Sequence, residues 1–96
     1  MATVSGNEPD PVTSRRVAVT GGASGIGAAT AQRLQALGWR VACLDRNLAG
    51  ARATAGAAGV AIEVDVADEE SVVRAFGEAG SVWGGLDAVV SAAGII

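Results

Sequence analysis

One short segment constrains this chain more than any other. Gly21-Gly22-Ala23-Ser24-Gly25-Ile26-Gly27 lies between an apolar run, Val17-Ala18-Val19, and a stretch in which Ile26, Thr30, Leu34 and Leu37 recur at helical spacing. A short apolar run bounded by glycines fits a buried strand, and Gly38 stops the helix. Strand, glycine-rich turn and helix together are the context a phosphate cradle requires. Glycine lets the backbone approach an anion closely, and the free amides at the start of a helix point at it. A plain glycine-rich turn is the competing reading, and this context disfavours it. A P-loop is excluded because its phosphate-binding lysine is missing.

The alternation continues along the chain. Val41 to Leu44 reads as a second strand ending at Asp45, and the Ala-rich residues 48–57 as a helix. Val60 to Val64 reads as a third strand ending at Asp65. Asp68 can cap a helix in which Val72, Phe76, Ala79 and Trp83 share one face, and Gly84-Gly85 closes it. Leu86 to Val90 is a fourth strand, followed by Ser91-Ala92-Ala93-Gly94. Strands this continuously apolar, alternating with helices, predict an α/β fold with a doubly wound parallel sheet covered on both faces. Right-handed crossovers give the strand order 3-2-1-4. Ligands of such sheets bind at the carboxyl ends of the strands, where the order switches between strands 1 and 4. Thr20 to Gly27, Asp45, Asp65 and Ser91 to Gly94 all fall on that edge. Residues 1–13, with two prolines and no apolar periodicity, read as a mobile tail ahead of a domain portion spanning residues 14–96.

Composition narrows the chemistry. The seven basic residues are all Arg, and there is no Lys, His or Tyr. The commonest general base, the commonest metal ligand and the phenolic acid are therefore absent from this stretch, and no metal site is expected. Cys43 is the single cysteine, so no intrachain disulfide can form, and its apolar surroundings read as those of a buried, inert thiol. No basic patch is interleaved with aromatics, which argues against a nucleic-acid partner. No apolar stretch reaches the ~18 residues of a membrane span, and the first residues lack the pattern of a signal peptide, so the expected location is cytoplasmic. The acidic run Asp68-Glu69-Glu70 suits a helix N-terminus.

The loop glycines Gly21, Gly25 and Gly27 are spaced G-x-x-x-G-x-G rather than G-x-G-x-x-G. With Thr20 ahead of them, the segment resembles the short-chain dehydrogenase/reductase family. Asp45 closing the second strand, Asp65-Val66 after the third and Ser91-Ala92-Ala93-Gly94 after the fourth reinforce the resemblance, which covers roughly residues 15 to 96. The frame of the extended branch, G-x-x-G-x-x-G, fails at Ala28. The resemblance implies the NAD(P)-binding part of a Rossmann-like fold, truncated after the fourth strand. It also implies an oxidoreductase that moves a hydride between a nicotinamide dinucleotide and an alcohol/carbonyl pair.

On that resemblance, Thr20, Gly21, Ser24, Gly25, Ile26 and Gly27 hold the pyrophosphate. Asp45, eighteen residues after Gly27, accepts from the adenosine ribose hydroxyls and repels a 2′-phosphate, so NAD is expected over NADP. Arg46 beside it can accommodate a 2′-phosphate. Asp65 and Val66 flank the adenine, and Ser91, Ala92, Ala93 and Gly94 approach the cofactor closely. Ser91 departs from the asparagine usual in the family. The family's catalytic Ser, Tyr and Lys lie beyond the fourth strand, so no catalytic residue is assigned here and the 96 residues alone are expected to be inactive. A small-molecule substrate and a homo-oligomer are expected only of the complete protein. Two other readings stand beside this one. The first is a non-catalytic nucleotide-binding fragment or pseudoenzyme. The second is a methyltransferase using S-adenosylmethionine, disfavoured because an acid usually stands where this chain has Thr20. A chain ending after the fourth strand is also expected to leave that strand on an open edge, poorly folded or self-associating.

Overall fold

Each apolar run becomes a parallel strand, and each stretch between them a helix. The computed structural model describes residues 15–92. Strand β1 (Arg16–Thr20) leads through the glycine-rich turn into α1 (Gly25–Ala36), and β2 (Arg40–Asp45) is followed by α2 (Leu48–Ala55). Strand β3 (Val60–Glu63) precedes α3 (Glu69–Val82), and β4 (Ala88–Ser91) completes the order. The four strands form one parallel sheet in the order β3-β2-β1-β4, as the sequence leads one to expect. The tail at residues 1–13, together with Ala93 and Gly94, lies outside the described residues.

Side chains alternate across the sheet, and each face has its own core. Val17, Val19, Val41 and Cys43 pack with Ala31 of α1 and with Ala51 and Ala55 of α2. Ala18, Ala42, Leu44 and Ile62 pack with Val64 and with Ala75 and Ala79 of α3. Val41 to Leu44 are completely buried because helices cover both faces of β2. Each fully buried Val or Leu contributes ~1.5–3 kcal/mol through removal of apolar surface from water, so β2 anchors the sheet.

Some local expectations shift. Helix α1 buries Gly27 and Ala31, while Ile26 is 80% and Leu37 51% exposed. Its inward face is thus rotated from the Ile26, Thr30, Leu34, Leu37 stripe, because small residues allow the helix to sit close to the sheet. Strand β3 ends at Glu63, with the buried Val64 just beyond it. Strand β4 begins at Ala88 rather than Leu86 and includes Ser91. The residue before it, Asp87, is bonded sideways to Arg16: the Arg16 N–H donates to Asp87 Oδ2 at 2.7 Å, and the Asp87 N–H to the Arg16 carbonyl at 2.8 Å. Helix α3 is capped where expected, though its innermost face is set by small residues, two of them one position from the expected Val72 and Phe76. Asp68 Oδ1 accepts from the Glu70 amide at 3.0 Å, and Ser71, Ala75 and Ala79 line its inner face, with Val72, Phe76 and Trp83 packed alongside.

Candidate functional site

The carboxyl ends of the four strands frame a cavity of about 330 Å3 lined by Gly21, Ser24, Leu44, Asp45, Arg46, Val64, Val66 and Ala92. Its size falls in the range of small-molecule sites. Its rim is the glycine-rich turn. The turn folds back so tightly that a Cβ on Gly27 would lie 1.9 Å from the Gly21 carbonyl oxygen, so no other residue fits there without moving the backbone.

The start of α1 is suited to an anion. Helices α2 and α3 are capped by Asn47 and Asp68, but Ser24 at the head of α1 makes no side-chain cap, and the first turn holds no acid. Its first amides and the Ser24 hydroxyl therefore remain available at the edge of the cavity, at the positive end of the helix dipole. Turn, amides and cavity together fit a pyrophosphate and the nucleoside attached to it.

Asp45 stands at the end of β2, half-buried beside the turn, and lines the same cavity. Its Oδ2 accepts from the Ala23 amide at 3.0 Å and its Oδ1 from the Asn47 amide at 2.9 Å. An ionised carboxylate offers about four acceptor positions, so two remain for ligand hydroxyls. Arg46 lines this cavity and also a neighbouring cleft of about 400 Å3 formed with Glu63, Val64, Asp65, Asp68, Ser71 and Arg74. The one ion pair among the described residues, Arg16–Asp87, does not involve it.

The structure does not bring all the expected residues to the cavity wall. Thr20 is buried, and its hydroxyl donates to the Val90 carbonyl at 3.4 Å, bracing β1 against β4. Asp65 turns into its own loop, where Oδ1 accepts from the Ala67 amide at 3.0 Å, and it lines the neighbouring cleft, whereas Val66 lines the main cavity. Gly25 and Ile26 belong to the exposed first turn of α1, and Gly27 is buried behind it. Ser91 pairs in register with Thr20, and the following Ala92 reaches the cavity, its amide donating to the Thr20 carbonyl at 3.1 Å. Leu44 and Val64 form part of the wall but were legible in the sequence only as strand residues.

Comparison with known proteins agrees with this fold. Residues 15–96 match the short chain dehydrogenase family. An uncharacterised oxidoreductase of Bacillus subtilis, YuxG, is 41% identical over 96 residues, covering 91% of this chain and 14% of YuxG. The 3-oxoacyl-[acyl-carrier-protein] reductase MabA of Mycobacterium tuberculosis is 44% identical over 94 residues, covering 98% of this chain and 36% of MabA. Among solved structures, a 3-ketoacyl-(acyl-carrier-protein) reductase from Brucella melitensis complexed with NADH superposes with a TM-score of 0.75 at 33% identity, covering 78% of this chain and 32% of that one. The chain thus spans about a third or less of the length of these relatives.

Proposed function

The chain belongs to the short-chain dehydrogenase family, and on that premise we propose that residues 15–92 seat the adenosine and pyrophosphate of NAD in an oxidoreductase acting on an alcohol/carbonyl pair. The observation that carries this reading is the uncapped N-terminus of α1 at the edge of a cavity that the Asp45 carboxylate also lines. The amides at the head of α1 and the Ser24 hydroxyl hold the pyrophosphate. The two free acceptor positions of Asp45 take the ribose hydroxyls, and its charge opposes a 2′-phosphate. Val66 and Ala92 supply apolar contacts to the adenosine. The Asp65 carboxylate, turned into its own loop, contributes through the position of Val66.

When bound, the nicotinamide ring supplies the hydride acceptor or donor, and the protein supplies orientation. Residues 1–96 contain no Tyr, Lys or His, so no such side chain among them moves the substrate proton. Titration of the full-length protein with NADH, followed by the ligand's fluorescence, tests the reading. Saturable binding that perturbs residues 21–27 supports it. Binding of S-adenosylmethionine in place of NADH would overturn it.

A further inference from the structure

The glycine-rich turn is held from the side by β2. The Gly21 and Gly22 amides both donate to the Leu44 carbonyl, at 2.8 and 3.3 Å, and the next amide, Ala23, donates to Asp45 Oδ2 at 3.0 Å. Gly22 rests on Cys43, where an added Cβ would stand 3.0 Å from the cysteine Cβ. The other Asp45 oxygen accepts from Asn47, and Asn47 Oδ1 caps α2 through the Gly50 amide at 3.0 Å. Gly50 in turn lies against Ala23: a Cβ built on it would come within 2.9 Å of the Ala23 Cβ. Asp45, Asn47, Gly50 and Ala23 therefore form a closed ring of contacts beside the turn.

We propose that Asp45 is a positioning residue for the phosphate-binding turn, in addition to its place opposite the ribose. The proposal rests on the dinucleotide reading above. Ala23 directly precedes Ser24, the residue that opens α1, so the bond from its amide to Asp45 sets the approach of the chain to the helix head. Leu44 offers a fixed carbonyl to the first two amides, but the third has only this side chain. Without the carboxylate the part-buried Ala23 amide loses its acceptor, and Ser24 and the first amides of α1 are no longer held against the cavity. One carboxylate thereby couples the two halves of the site. Removing its charge lifts the repulsion of a 2′-phosphate but also loosens the pyrophosphate seat that both dinucleotides share, so Asp45→Ala does not create a tight NADP binder.

Two measurements on the full-length protein and its Asp45→Ala and Asp45→Asn variants test this. In the ligand-free protein, hydrogen exchange at the Ala23 amide is expected to speed up about tenfold or more in Asp45→Ala. The amides of β1 and β2 should keep their protection. Asp45→Asn, which retains one acceptor oxygen and the shape, should fall between. The second measurement is the affinity for a dinucleotide whose adenosine ribose lacks both hydroxyls. Asp45→Ala is expected to weaken binding of this analogue roughly tenfold, although the analogue has no hydroxyl for Asp45 to hold. Unchanged exchange at Ala23, or an unchanged affinity for the analogue, overturns the proposal. A wild-type protein that binds neither dinucleotide overturns the dinucleotide reading, and the exchange measurement then still decides the positioning role.

Discussion

Arg16 and Asp87, 71 residues apart, are joined through both backbone and side chain. The Arg16 amide donates to Asp87 Oδ2 at 2.7 Å, and the guanidinium donates to both carboxylate oxygens at 3.1 Å. Arg16 also reaches the Trp83 carbonyl at 3.2 Å, so one side chain fastens the start of β1 to the end of α3 and the entry of β4. These bonds hold the Asp87 carboxyl below its ordinary value of 3.8. A carboxylate whose folded pKa is depressed contributes stability that is present above its unfolded value and is lost as pH falls through the folded value. Acid titration of stability should therefore show a loss beginning below about pH 3.8 that Asp87→Asn removes. Equal acid slopes for variant and wild type would contradict the pairing.

The glycines of the chain should separate sharply on substitution. Gly27→Ala forces a Cβ against the Gly21 carbonyl, so the turn must open. Overpacking of this kind costs about 1–3 kcal/mol, and dinucleotide affinity should fall with it. Gly77→Ala and Gly80→Ala, inside α3 with no atom within 4 Å of an added Cβ, should each stabilise by about 0.5–1 kcal/mol through helix propensity. Denaturant midpoints of the three variants check both signs. A neutral Gly27→Ala would show that the turn is looser than described.

Cys43 is fully buried beneath the turn, and burial pushes its thiol from 9.0 up to about 11. In that interval the unfolded chain releases the proton while the folded chain keeps it, so stability should decline as pH rises from about 9 through about 11. Cys43→Ala should lose this alkaline decline. Thiol reagents near pH 8 should label the native protein no faster than it opens. Rapid labelling without unfolding would place the thiol elsewhere. Cys43→Leu should cost about 1–3 kcal/mol, since Gly22 has no room to retreat from a larger side chain.

Much of the fold is legible in the sequence because glycine and β-branched residues act locally. The parallel order and the strand-end position of the site follow from the alternation of elements. The inward face of α1 is not legible, because Gly27 and Ala31 are buried by close approach rather than by hydrophobicity, leaving Ile26 outside. The bond from Ala23 to Asp45 is equally hidden. It depends on a backbone amide 22 residues from its acceptor, and pattern reading assigns Asp45 to a ligand alone. Asp65 shows the same limit: its position at the strand end is readable, but its turn toward the Ala67 amide is not.

The 96-residue polypeptide, purified by itself, should associate with increasing concentration. Strand β4 pairs only with β1 among the described residues, and Val89 on it is 53% exposed, so an unpaired strand edge carries apolar surface. It should also fail to turn over NADH with alcohols or ketones, having no Tyr, Lys or His to move the proton. A sharply melting monomer by size-exclusion chromatography and calorimetry would contradict the first expectation. Turnover above a heat-treated control would contradict the second.

The most direct test of the dinucleotide site is to compare NADH and NADPH binding by the full-length protein and its Asp45→Ala variant. Wild type should prefer NADH. The variant should lose about 1.5–3 kcal/mol of NADH affinity for the ribose hydrogen bonds to a charged group, on top of the roughly tenfold loss from the loosened turn, and with the first of these most of the preference. An unchanged NADH affinity in the variant, or a wild-type preference for NADPH, would contradict the assignment of Asp45 to the ribose.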